Sequence, residues 1–173
     1  MKDLFAVVVA ALLSIAGAFF GPKVYAMLAG NSTATKLVDQ LITGRSALAL
    51  RHANMGVTRY GTGAYSAANV IKWRILPDEA VDASTNALGN PFGGIYQISG
   101  AGREFWWDAD SIPLDGCIAT LTTFPPGSGY SGAAVASSMS GVGAATLNSL
   151  PVSPNTAASV CQSGENAIRF IGN

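Results

Sequence analysis

Two cysteines, one histidine and a short group of aspartates are the residues whose types could do chemistry in this chain. Cys117 and Cys161 have no CxxC spacing, and His52 stands far from both in sequence, so the pattern does not describe a zinc site. With an export-type N-terminus before them, they read as one disulfide; two buried free thiols are the alternative. A closed loop of about 45 residues would stabilise the fold by up to ~4 kcal/mol in the chain-entropy model. A disulfide also places the globular part in an oxidising compartment, the periplasm or the cell exterior.

Asp108, Asp110 and Asp115 carry the carboxylates that calcium needs, but their spacing follows no known loop, and Asp110 or Ser111 reads more simply as a helix cap. Gly127-Ser128-Gly129-Tyr130-Ser131-Gly132 formally matches G-x-G-x-x-G. It follows Phe124-Pro125-Pro126 instead of a strand, and no acidic residue stands about 20 positions later to meet a ribose. A flexible loop is the better reading. Neither a Walker A sequence nor a G-x-S-x-G elbow occurs. His52 is the lone imidazole, has no obvious acid near it, and reads as a polar residue at the end of a helix. No catalytic set emerges, and no cofactor or metal is expected. In Phe105-Trp106-Trp107, strand alternation puts Trp106 on the opposite face from its neighbours. There it is either an exposed contact for another subunit or ligand, or part of the core.

Composition narrows the classes further. Charged residues are 12% of the 173, ten acidic and ten basic. With no basic excess to neutralise phosphates, nucleic acid is not an expected partner. Mean hydropathy is +0.33. A surface so poor in repelling charge suits a subunit that buries much of itself against copies of itself.

The elements that must position these residues begin with an apolar run, Leu4 to Phe20, uncharged between Asp3 and Lys23. As a helix it matches the ~30 Å hydrocarbon core of a bilayer. It could be a cleaved signal, a plain anchor or the assembly helix of a filament. Val24-Tyr25-Ala26 resembles a cleavage site, but the run is longer than a usual h-region and Lys23 intervenes. After Pro22 the helical pattern resumes to about residue 51: Leu37, Leu41 and Leu48, with Ala34 and Val38, form one apolar stripe. The helix is expected to kink at Gly21-Pro22 and to pack its amphipathic half on a head.

Between His52 and Asn90 the chain reads as irregular, with strand-like density only from Val70 to Leu76 and a helical turn after Pro77. Asn90-Pro91-Phe92-Gly93-Gly94 is a turn. Ile95 to Ser99 and Arg103 to Trp107 then flank Gly100-Ala101-Gly102 as a hairpin. A helix from Ser111-Ile112-Pro113 to about Phe124 carries Cys117. Pro125 to Asn155 reads as a long loop with room for a short strand or helix, and Ala167 to Ile171 as an alternating strand.

These features together resemble a family, the type IV pilins of the type IVb kind. The features are the membrane-length helix that continues amphipathically, Pro22 within it, and the Asn90-Pro91-Phe92-Gly93-Gly94 hairpin opening. Cys117 and Cys161, bracketing a region that ends in Asn166-Ala167-Ile168-Arg169-Phe170, complete the set. The hairpin opening is similar to that of major pilins of conjugative-plasmid thin pili. The resemblance implies an α+β fold, a long N-terminal helix packed on a mainly antiparallel β-sheet head with one disulfide. It implies residues 1–25 as the transmembrane and filament-core half of the helix, and 26–173 as the head with the amphipathic half. The function implied is structural: a subunit held in the bacterial inner membrane, then polymerised with copies of itself into an extracellular pilus. Such pili serve adhesion, aggregation or mating-pair stabilisation, and the implied partners are a prepilin peptidase and the pilus assembly machinery.

One departure matters. These pilins usually carry glutamate at the fifth mature position, where this chain has Phe5. Asp3 is then the carboxylate expected to pair with a neighbour's Met1 amine or Lys2, since an unpaired buried carboxylate is costly. Met1 would be the processed, N-methylated residue, or else the translational start. Gly21 and Pro22 are expected to let the helix unwind locally in the filament. The alternatives are a minor pilin or pseudopilin, and a membrane-anchored periplasmic binding protein or enzyme.

Overall fold

A computed structural model describes residues 32–56, 59–82, 84–143 and 147–173. Helix α1 is described over 32–54. Ala34, Leu37, Val38, Leu41 and Leu48 are all buried along one face, as the stripe requires. The helix closes with Met55 and Gly56 donating back to the carbonyls of Arg51 and Ala53, and Gly56 takes φ 66°, the left-handed stop that glycine adopts freely. Among the described residues no helix is long and apolar enough to cross a membrane. The run Leu4 to Phe20 and the Gly21-Pro22 kink lie outside them.

Among the described residues seven strands follow: β1 (Gly61–Ala64), β2 (Val81–Asp82), β3 (Ala87–Leu88), β4 (Tyr96–Gly102), β5 (Glu104–Ile112), β6 (Tyr130–Ala136) and β7 (Asn166–Gly172). The main sheet is five-stranded in the order β1-β4-β5-β7-β6, and every pair is antiparallel. β2 and β3 form a separate small ribbon. Between the strands lie the helices α2 (Ala67–Lys72), α3 (Leu114–Thr123) and α4 (Pro154–Val160). The expected α+β fold, a helix on an antiparallel sheet with one disulfide, is the fold observed.

The core lies between α1 and the sheet. Phe105, Trp107, Phe124 and Phe170 are among its largest fully buried side chains. Phe105, Phe124 and Phe170 all pack around Tyr130, with ring centroids 5.8, 5.5 and 6.2 Å from it. The Tyr130 hydroxyl donates to the Leu41 carbonyl at 2.8 Å, tying β6 to the middle of α1. Gly44 continues the Leu37-Leu41-Leu48 stripe, and a Cβ built there would lie 2.1 Å from the Trp107 ring. The helix therefore rests directly on the indole.

Several sequence expectations are corrected. Val70 to Leu76 is not a strand. Ser66 caps α2 by accepting from the Asn69 amide at 3.3 Å, and the Trp73 amide donates to Asn69 and ends it. The apolar density there serves to bury Val70, Ile75 and Leu76 from a helix and turn, which β-branched residues do not reveal locally. β1 had no sequence signal, because Gly61–Ala64 is exposed throughout and is held by its ladder to β4. The hairpin turn is shorter than expected, since Ala101 pairs with Glu104 across Gly102 and Arg103. β5 runs on to Ile112, so neither Asp110 nor Ser111 is a helix cap; α3 starts from Pro113 without a side-chain cap. The glycine-rich Gly127 to Gly132 segment leads into β6, which the loop reading allowed only as a short strand.

Gly44→Val is expected to force the helix off Trp107 and to destabilise the fold by about 1–3 kcal/mol. The midpoint of denaturant unfolding followed by tryptophan fluorescence measures it. An unchanged midpoint would mean that the helix does not need this contact.

Candidate functional site

Cys117 on α3 and Cys161 at the end of α4 form the disulfide, with an S–S distance of 1.95 Å and a sequence separation of 44. Beside it, Asn166 organises the return of the chain into β7. Its Oδ1 accepts from the Gln162 amide at 2.7 Å, while its Nδ2 donates to the carbonyls of Ile112, Gln162 and Gly164.

The Asn90 to Gly94 turn is a second joint. Asn90 Oδ1 accepts from the Phe92 and Gly94 amides, and its Nδ2 donates to the carbonyls of Ile95 and Asp110. Asp110 Oδ1 accepts from the Ile95 amide at 2.6 Å. A Cβ on Gly94 would lie 2.3 Å from that same oxygen, so the turn closes only with glycine there. A Cβ on Gly116 would meet the Phe92 ring at 2.6 Å, so α3 packs directly on the turn.

On the sheet face away from α1, Asp108 and Arg169 are cross-strand partners on β5 and β7. Arg169 Nε and Nη2 each donate to one Asp108 oxygen at 2.7 Å, a bidentate pair, and the carboxylate raises the guanidinium's pKa further. Arg169 Nη1 donates to the carbonyls of Val142 and Gly143, and the guanidinium lies 4.3 Å from the centre of the Trp106 ring. One arginine thus holds the 139–143 segment, a buried aspartate and a tryptophan together. Trp106, expected as a contact residue or core, is half-buried under it.

His52 stands in the last turn of α1, the helix-end position expected of it, and is buried there. Its ring meets Tyr60 edge-on at 4.8 Å, Tyr65 Oη lies 3.4 Å from its Nε2, and its Nδ1 has no hydrogen-bond partner. Burial first, and then the charge of Arg51, holds its pKa below 6.5; burial pushes Tyr65 up to about 12. Asp108, Asp110 and Asp115 do not converge. Asp108 is taken by Arg169, Asp110 by Ile95, and Asp115 is exposed on α3. Among the described residues no group of His, Cys, Asp and Glu could hold a metal ion. Met1, Lys2, Asp3, Phe5, Gly21 and Pro22 lie outside the described residues.

The family described as PilS N terminal matches residues 29–173, the helix and the whole head. The chain belongs to that family. No curated protein matches it. Its structure is similar to TcpA, a type IV pilin from Vibrio cholerae El Tor biotype, at 14% identity and a TM-score of 0.53, covering 82% of this chain and 99% of that one. A type IVb pilin from Salmonella typhi is also similar, at 19% identity and a TM-score of 0.49, covering 75% of this chain and 95% of that one. The fold of this PilS-family chain is that of a type IV pilin, in agreement with the type IVb resemblance drawn from its sequence.

Sequence reading missed Gly44, Asp108 with Arg169, and Arg45. Arg45 donates to the carbonyls of Gly129 and Asn173, fastening α1 to the start of β6 and the end of β7. A glycine on an apolar stripe is a legible sign of close approach. The pairing of Asp108 with Arg169 across a separation of 61 had no local sign.

Asp108→Ala is expected to leave Arg169 uncompensated and to cost about 3 kcal/mol or more of stability. Asp108→Asn should recover part of that in the same denaturation measurement. His52 gives a pH dependence of definite sign. Its folded pKa lies below the unfolded 6.5, so its contribution is complete above about that pH and is lost as pH falls toward the folded value. The unfolding midpoint should therefore fall between pH 7.5 and 5.5, and His52→Gln should flatten that slope.

Proposed function

We propose that this chain is the structural subunit of a type IV pilus and polymerises through its hydrophobic N-terminal helix. The observation that carries the reading is the seating of α1. The stripe Leu37-Leu41-Leu48, the Gly44 contact on Trp107 and the Tyr130 bond to Leu41 fix the amphipathic half of the helix in the head. In sequence, the apolar run Leu4 to Phe20 precedes that half. A membrane-length segment joined to a helix so firmly built into a head suits a polymerisation element better than a simple tether. Family and fold support the same role.

On this reading residues 1–25 form the filament core and 26–173 the head. The subunit waits in the inner membrane, is processed by a prepilin peptidase and is moved outward by the assembly machinery. The pilus serves adhesion, aggregation or conjugative mating-pair stabilisation. Asp3 supplies the carboxylate that Phe5 does not, pairing with a neighbour's Met1 amine or Lys2. Gly21 and Pro22 allow local unwinding of the packed helix.

Filaments sheared from producing cells should contain this chain as the dominant band. Asp3→Ala should reduce the filaments about tenfold or more while the subunit still accumulates, and Asp3→Glu should retain them. The chain present only in traces would make it a minor pilin. Normal filaments from Asp3→Ala would remove Asp3 from the role.

A further inference from the structure

The described head is electrically two-ended. Strand register defines the ends. At one, the β4–β5 turn at Arg103 meets Tyr60, whose amide donates to Gly102, and His52 near the end of α1 packs on Tyr60. Arg59 and Arg103 are exposed there. Arg51, in the last turn of α1, is exposed there as well and lies 5.4 Å over the Trp73 ring. Glu104 is the acidic residue among them.

At the other end, Tyr96 opens β4 opposite Ala109, and its hydroxyl donates to Gln40 near the described start of α1. Gln40 and Lys36 both reach Glu79, which places Asp78 there. Asp82 follows on the neighbouring ribbon, and Asp115 and Glu165 sit where β5 ends and β7 begins. All five acidic residues are exposed, and Lys36 is the basic residue among them.

The exposed large hydrophobic side chains divide in the same way. Leu50, 63% exposed, and Met55, 47%, lie at the basic end; Ile95, 51%, lies at the acidic end beside Asp110. Each end is thus an apolar point surrounded by charge predominantly of one sign, the arrangement of an interface with a small core and a polar rim.

We propose that these ends are the two halves of one contact between copies of this chain, the Leu50–Met55 end of one head docking on the Ile95 end of the next. The two patches differ, so the contact is head-to-tail and builds an open helical array instead of a closed dimer. The proposal rests on the filament reading above and adds an axial contact between heads to the packing of the N-terminal helices. Opposite charge at the two ends steers approach and sets polarity, since a reversed head would place like charges together.

In cells making filaments of the full chain, Arg59→Glu with Arg103→Glu should lower sheared-filament yield about tenfold. Asp115→Lys with Glu165→Lys should do the same, and the four changes together should restore yield. Independently, Leu50→Cys with Ile95→Cys should give a disulfide ladder of subunits in oxidised filaments that neither single variant gives. Should a charge reversal fail to accumulate, the cysteine pair decides alone. Filaments without a ladder, or accumulating reversals that leave yield unchanged or are not rescued in combination, overturn the contact and leave the pilus reading intact. A natural chain that makes no filaments overturns both.

Discussion

The rest of this structure depends on how closely α1 can approach the sheet. Gly44 has no side chain, so the helix backbone comes down onto the Trp107 indole, and flanking leucines fall into the core on either side. Any larger residue would hold the helix away and loosen the contacts around it. The Tyr130 hydroxyl could not then reach Leu41, nor Arg45 the carbonyls of Gly129 and Asn173. Burial supplies the driving force, but these polar ties fix where along its own axis the helix sits.

The two faces of the sheet are stabilised differently. Facing α1 is an aromatic core, with edge-to-face rings from β5, β6, β7 and the residue that ends α3. On the far face the apolar material is smaller: Ala134, Ala167 and Val142, with Ala136 and Met139 beside them, and Ile171 opposite Trp106. Arg169 substitutes for a core there. It neutralises Asp108, covers Trp106 and binds two carbonyls of the covering segment, so one side chain holds what a second helix would otherwise hold.

Legibility in the sequence followed locality. The α1 stripe, the Asn90 turn, the Cys117-bearing helix and the β7 strand carry their own periodicity or turn chemistry and stand where expected, as does the β4–β5 hairpin apart from its tighter turn and the longer β5. β1 did not, because a glycine-rich exposed edge is a strand only through its neighbour. Val70 to Leu76 misled because its apolar density reflects burial and not period. At the candidate site the cysteines were legible as a pair. The buried setting of His52 and the capture of Asp108 by Arg169 were not, since each is decided by residues brought in from other strands.

The position of β7 has a consequence for how the head comes together. It follows β6 in sequence but lies between β5 and β6 in the sheet. Until β7 inserts, β5 presents an open edge, and among the described residues β6 is met only by a single bridge at Leu147. The Asp108–Arg169 pair spans 61 residues, so the central ladder is a long-range contact that no local nucleus can form early. A chain in this state has both the hydrogen-bonding edge and the aromatic face that recruit foreign strands. Closure by β7 is therefore the pairing of longest sequence separation in the sheet, and the edges it covers are the ones on which a foreign strand could pair.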